Sequence, residues 1–248
     1  MQLPRASVIC TTHFLTEKDP MKEIAYEVGR LVLLVPPEQV TPLRGFYAPE
    51  AFAAIAKRYG FQSTPDLSLS PERLQKEGLR FRLGKVPGKE ASKLAASIND
   101  FVIFQDGFVV DGYETDDAEM FIADLLKWGK GSLGIRAFSH PPRQVYYSQV
   151  TVQFETPVNK LIKQFDDIAT LLTSLLMKTY RLNTVVELQG VRFDYDRLIA
   201  PSLYNPVQFA IERKAGHKYE DGLFWCQAPL RTTDHIQLLK TIETILSK

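Results

Sequence analysis

The sequence predicts an α+β protein in which antiparallel sheets pack against amphipathic helices. Three observations carry that expectation. Short alternating segments adjoin one another through hairpin-sized links, most clearly around Asp106-Gly107. Each half ends in strands followed by an amphipathic helix. A heptad-patterned segment runs from Thr156 to Met177, where Val158, Phe165 and Leu172 recur every seven residues, as do Leu161, Ile168, Leu175 and Ile162, Ala169, Leu176. Direct strand-to-strand links favour antiparallel pairing, because a parallel pair needs a long crossover.

Ser7 to Phe14 reads as a strand. Asp19-Pro20 then opens a helix, with Asp19 accepting first-turn amides and Pro20 in the first helical position. Ile24, Val28 and Leu31 fit helical spacing, although the run after Leu31 suits a strand equally well. Helices follow from Pro49 to Tyr59, ended by Gly60, and from Pro71 to Glu77, between Ser70 and Gly78. Leu79, Phe81 and Leu83 alternate with Arg80 and Arg82, as in a half-buried strand. Phe101–Gln105 and Phe108–Asp111 flank Asp106-Gly107, a tight-turn dipeptide, and predict a hairpin. Asp116 and Glu119 have capping-box spacing before a helix carrying Phe121, Ile122, Leu125 and Trp128, which Gly129 should stop.

Three glycines and His140-Pro-Pro142 make residues 129–143 a candidate linker between domains at 1–134 and 143–248. The second would be built on the 156–178 helix, in the order strand, long helix, three strands, helix. Val145–Glu155 is its first strand, and Thr156-Pro157 caps the helix. From Val185 to Tyr195 the apolar phase switches at Gly190, which suggests a β-bulge. Strands around Val207–Ile211 and Leu223–Gln227 precede a last helix from Thr233 to Ser247, burying Leu238, Leu239, Ile242, Ile245 and Leu246. The halves do not align residue by residue, so duplication is not favoured. The heptad stripe takes three positions in seven, broader than a coiled-coil seam, so a core helix lying across the sheet is expected. Leu171 and Met177 fall outside the stripe and leave self-association as the alternative.

Thirty basic and 29 acidic residues in 248 leave a net charge of +1, which provides no global field toward nucleic acid or anionic lipid. Two cysteines, Cys10 and Cys226, are too few for a disulfide scaffold and point to a reducing compartment. The apolar run Leu31–Val35 stops at Pro36-Pro37, far short of the ~20 residues that span a bilayer. With no signal-type N-terminus, a cytoplasmic protein without membrane contact is expected.

Recognisable motifs fail their context. Gly129-Lys-Gly131-Ser-Leu-Gly134 has dinucleotide-loop spacing but follows a helix, whereas a pyrophosphate needs a helix N-terminus. Gly84-Lys-Val-Pro-Gly88-Lys89 is one residue short of a phosphate loop, and Glu90 stands where a magnesium-binding hydroxyl would be. Cys10, His13, Cys226 and His235 could supply zinc ligands only if both halves converge, and structural cysteines are the simpler reading.

Two constellations remain. Asp194, Asp196 and Glu212, beside Arg192, lie on adjoining strands and could hold a divalent cation or divide acid and base roles. Arg213, Lys214, His217 and Lys218 form a basic turn near Trp225, a pattern that can clamp phosphates and stack on bases. Neither comes with a recognisable nucleophile, and charged rows on sheet surfaces commonly pair with one another. The expectation is therefore a non-catalytic cytosolic binding or assembly protein, acting through contacts with a protein partner or another copy of itself. No cofactor or metal is called for. The alternatives are a divalent-metal-dependent hydrolase or phosphotransferase using the acidic cluster, and, less favoured, a nucleic-acid accessory protein using the basic turn.

Overall fold

The segment expected to open a helix is a strand, β1 (Lys22–Leu34). Its pairing with β5 (Arg143–Gln153) shifts register between Glu23 and Ala25 and again between Tyr26 and Val28. Each bulge adds a residue, so side chains sharing a face fall three apart and imitate a helical period. Beyond them the alternation is strict, with Gly29, Leu31 and Leu33 buried.

The computed structural model describes residues 21–35, 49–85, 97–195 and 206–247, apart from 67, 69, 105, 137, 139, 157, 159–162, 182, 219 and 220. The expected strand at Ser7–Phe14, the Asp19-Pro20 cap, Cys10, His13, Gly88-Lys89 and Asp196 lie outside the described residues. The fold is α+β, as expected. β2 (Leu79–Lys85), β3 (Ser97–Phe104), β4 (Gly107–Gly112), β6 (Gly190–Phe193), β7 (Phe209–Arg213) and β8 (Leu223–Ala228) join β1 and β5 in one antiparallel sheet. Its order is β2-β3-β4-β1-β5-β8-β7-β6. The two halves therefore share a sheet, fused along the β1–β5 seam. In the β3–β4 hairpin, Phe104 pairs with Gly107. Gly107 opens β4 at φ +156°, where a Cβ would stand 2.0 Å from the Leu33 carbonyl oxygen.

That order reads identically from either end when the halves are exchanged, which is a pseudo-twofold arrangement. At the centre of the seam Gly29 faces Ser148. Above it, helices α3 (Thr115–Ser132) and α5 (Thr232–Leu246) bring their N-termini together. The Thr115 amide donates to Thr232 Oγ1 at 3.0 Å, and the Thr232 amide donates to Thr115 Oγ1 at 2.8 Å. Each helix thus satisfies an open amide of the other, in place of the capping box expected within α3. Thr232→Val keeps the shape but leaves the buried Thr115 amide without its acceptor. It is expected to cost ~2 kcal/mol by chemical unfolding; no measurable loss would show that the exchange contributes nothing.

The residues facing each other in these ladders define the faces of the sheet. Phe81, Phe101, Val110, Leu31, Val150, Cys226 and Ile211 share one face. On the first half, α1 (Pro49–Tyr59) and α3 cover it, burying Phe52, Ile55 and Tyr59 with Phe121, Ile122 and Leu125. On the second half, Ile236 and Leu239 of α5 close over Val150, Val152, Phe224 and Cys226. A short helix, α2 (Pro71–Glu77), leads into β2 through Gly78 at φ +68°.

Three expectations are corrected. Gly129 does not end α3: it is buried inside the helix, where a Cβ would stand 2.4 Å from Ile135 Cδ1, so α3 continues to Ser132. Residues 183–189 carry no strand, and Gly190 opens β6 instead of forming a bulge within a longer one. The heptad helix, α4 (Lys163–Tyr180), is not the spine of the second half. Ile168, Leu171, Leu172, Leu175, Met177 and Tyr180 are all exposed, with Leu171 at 61%. Amphipathicity declares that a face wants burial; it does not say that the chain's own sheet supplies the partner.

Candidate functional site

The opposite face of the sheet, which α1, α3 and α5 leave uncovered, holds several of the charged residues singled out from sequence, among them Arg192, Glu212 and Lys214. Its side chains are the polar half of each alternating strand, so local sequence puts them there. Arg30 on β1 makes a bidentate pair with Asp111 on β4, at 2.6 and 2.7 Å. Asp111 holds the Arg30 guanidinium above its ordinary pKa, against the opposing effect of burial. Arg80 and Arg82 on β2 both approach Asp100 on β3, at 3.5 and 3.4 Å. A cavity of about 510 Å3 lies beside the seam, with Val28, Val32, Val145 and Val207 against Arg30 and Tyr147.

The basic turn after β7 folds back onto this sheet. Lys214 Nζ donates to Glu27 Oε1 and Thr151 Oγ1, both at 2.7 Å, and Gln149 Nε2 donates to Glu27 Oε2 at 2.8 Å. Burial raises the Glu27 pKa, but the bonds from Lys214, Thr151 and Gln149 outweigh it and leave the carboxyl below its ordinary value. Arg213 lies 3.6 Å from Glu187, and His217 Nδ1 lies 3.6 Å from Asp221. Lys218 contributes its backbone amide to Asp221. Trp225 faces Glu212 and Thr151 across its ladders, not the turn. Each of Arg213, Lys214 and His217 thus has a carboxylate beside it, which divides the positive field of the turn into separate pairs.

The acidic cluster disperses in the same manner. Glu212 on β7 accepts from Arg192 Nε on β6 at 2.7 Å. Asp194, just past β6, accepts from Gln208 Nε2 at 2.7 Å and from the Tyr195 amide at 3.0 Å. Among the described residues no group of three or more His, Cys, Asp or Glu is placed to hold a metal. Cys226 is a buried thiol inside the second core cluster, and burial pushes its pKa up.

Sequence reasoning missed a buried pair at the pseudo-twofold axis. His235, one turn into α5, brings Nδ1 within 2.8 Å of Ser148 Oγ on β5, and both side chains are fully buried. Burial pushes the His235 pKa down to about 4. Phe209 stands edge-on to the imidazole at 6.1 Å. The pair is an enclosed imidazole–hydroxyl contact within the core. The signal that could have found it is the pairing of Gly29 with Ser148, which needs the sheet order.

Elsewhere, the exposed large apolar side chains of the described residues concentrate on α4. Ile168, Leu171, Leu172 and Leu175 line one side of α4, exposed between 44% and 61%. The less exposed side carries Ala169, Thr173 and Leu176. Thr173 Oγ1 accepts the Val186 amide at 2.9 Å, tying that side of the helix to the chain leading into β6. On the edge strand β6, Phe193 is 62% exposed, its ring tilted against Phe209 at 5.9 Å. No protein-family model matches the chain, and no curated protein matches it significantly. Among the described residues, no helix is long and apolar enough to cross a membrane.

Proposed function

We propose that this chain is a non-catalytic binding or assembly protein of the cytosol whose docking element is α4. One observation supports this above the rest. Of the large apolar side chains left exposed among the described residues, the greatest concentration is the stripe Ile168–Leu171–Leu172–Leu175, on a helix that lies along no strand described. Leaving such a stripe in water forfeits on the order of 1 kcal/mol for each of these half-exposed leucines that a partner could bury. Contiguous apolar surface of this kind marks a contact site for another protein. A heptad stripe presented on a helix suits insertion into a hydrophobic groove, with anchors three and four residues apart. The charges paired on the open sheet face, Arg30 with Asp111, Lys214 with Glu27 and Arg192 with Glu212, support the same reading.

The test is a photo-crosslinking residue placed at position 171 and, as a control, at the exposed Lys57 of α1. Position 171 is expected to yield discrete protein adducts, in cells or in purified protein, that position 57 does not. As a companion, the same crosslinker placed at Ile168 should capture the partner, and Leu171→Glu with Leu175→Glu should abolish that capture. Absence of adducts above the control in both settings would sink the proposal.

A further inference from the structure

The pseudo-twofold axis makes each half a template for the other. In chain order β1, α1–α2, β2, β3, β4, α3 correspond to β5, α4, β6, β7, β8, α5. Counted from the paired threonines, Ile122 and Leu239 occupy the same helical position, and both are buried on the sheet. On the same count Phe121 corresponds to Leu238 and Trp128 to Ile245. The first half shows what these positions are for. Tyr59 at the end of α1 packs on Phe121 at 4.6 Å and on Trp128 at 6.1 Å, while Phe52 meets Phe81 of β2 at 6.0 Å. Arg58 of α1 adds a bidentate pair with Asp124 of α3. A helix thus seals the groove between the outermost strand and α3, leaving Leu79 and Phe81 buried.

At the corresponding positions of the second half, no helix among the described residues covers β6. On β6, Val191 is only partly buried and Phe193 is 62% exposed. On α5, Ile245 is 58% exposed, against the expectation that it joins the core. The element corresponding to α1 by chain order is α4, whose apolar stripe is exposed at the same time. Within one chain both surfaces stay exposed: α4 is tied through Thr173 to Val186, while Leu171 and Leu172 remain in water. We infer that the groove formed by Val191, Phe193, Leu238 and Ile245 receives α4 from a second copy of this chain. Two copies related by a twofold axis would each donate α4 and each accept one, so both uncovered apolar surfaces are closed by a single isologous exchange. This rests on the reading of α4 as a docking element and names its partner.

Sedimentation velocity on the full chain, together with Leu172→Lys and Phe193→Lys, tests it. Both side chains are exposed, so the variants should keep the wild-type circular dichroism and melting temperature. The wild type is expected at dimer mass and both variants at monomer mass. In a Cys10→Ser background, Leu172→Cys with Phe193→Cys and a short bismaleimide should give a covalent dimer. A product at monomer mass would show α4 closing on its own chain and overturn the inference. A dimer that survives Phe193→Lys but is lost in Leu172→Lys removes this groove as the receiver and leaves α4 as the docking element. A monomer at every concentration, with position 171 crosslinking to a different protein, overturns the second copy alone.

Discussion

Gly29→Ala is expected to destabilise the protein by ~3 kcal/mol or more, or to prevent folding. A Cβ at position 29 would stand 2.2 Å from the Glu114 carbonyl carbon and 2.4 Å from the Thr115 nitrogen. Both are backbone atoms, so no rotamer can relieve the overlap. The chain must separate β1 from the start of α3, which pulls Thr115 away from Thr232 and opens the axis where the halves join. Gly131 supplies the control. It lies in α3, where an added Cβ would meet nothing within 4 Å, and alanine there should stabilise by up to ~1 kcal/mol through helix propensity. Guanidinium unfolding of the two variants should therefore shift in opposite directions. A loss at Gly29 of under ~0.5 kcal/mol would mean that the seam is looser than these distances.

Acid should weaken the fold through His235. Its pKa is pushed down to about 4 in the folded protein, from an ordinary value near 6.5. Between those values the unfolded chain binds a proton that the native state refuses, so stability rises with pH across that window. The contribution is whole above about pH 6.5 and lost as the pH falls to about 4, amounting to ~3 kcal/mol. Carboxylates titrate in the same range, so the informative quantity is the difference between wild type and His235→Gln. Unfolding free energies measured at intervals from pH 7 to pH 4 should fall more steeply for wild type. Parallel profiles would show that His235 is not held neutral by its enclosure with Ser148 and Phe209.

Much of the architecture was legible locally. Pro49–Tyr59, Pro71–Glu77 and the β3–β4 hairpin follow from proline, glycine and alternation, because those signals act through neighbouring backbone dihedrals. On β2 the open face was legible as well, in Arg80 and Arg82 alternating with Leu79 and Phe81. The errors occurred where a contact distant in sequence overrides a local cue. Two bulges disguised β1 as a helix, and Ile135 made Gly129 a packing glycine instead of a stop.

The candidate site divides in the same way. Sequence identified Glu212, Asp194 and Lys214 as chemically interesting, but their partners Arg192, Gln208 and Glu27 come from other positions along the chain, and those partners decide that Glu212 and Lys214 are ion-paired and Asp194 hydrogen-bonded. By itself the sequence determined the α+β class, the period of the regular elements other than β1 and the amphipathic stripe of α4, since all three depend on spacing within a few residues. Only the tertiary structure decided that two halves share one sheet, that Thr115 and Thr232 cap each other, and that α4 leaves its stripe uncovered. The physical reason is that periodicity specifies which face seeks burial, whereas the order of strands in the sheet specifies whether anything is there to bury it.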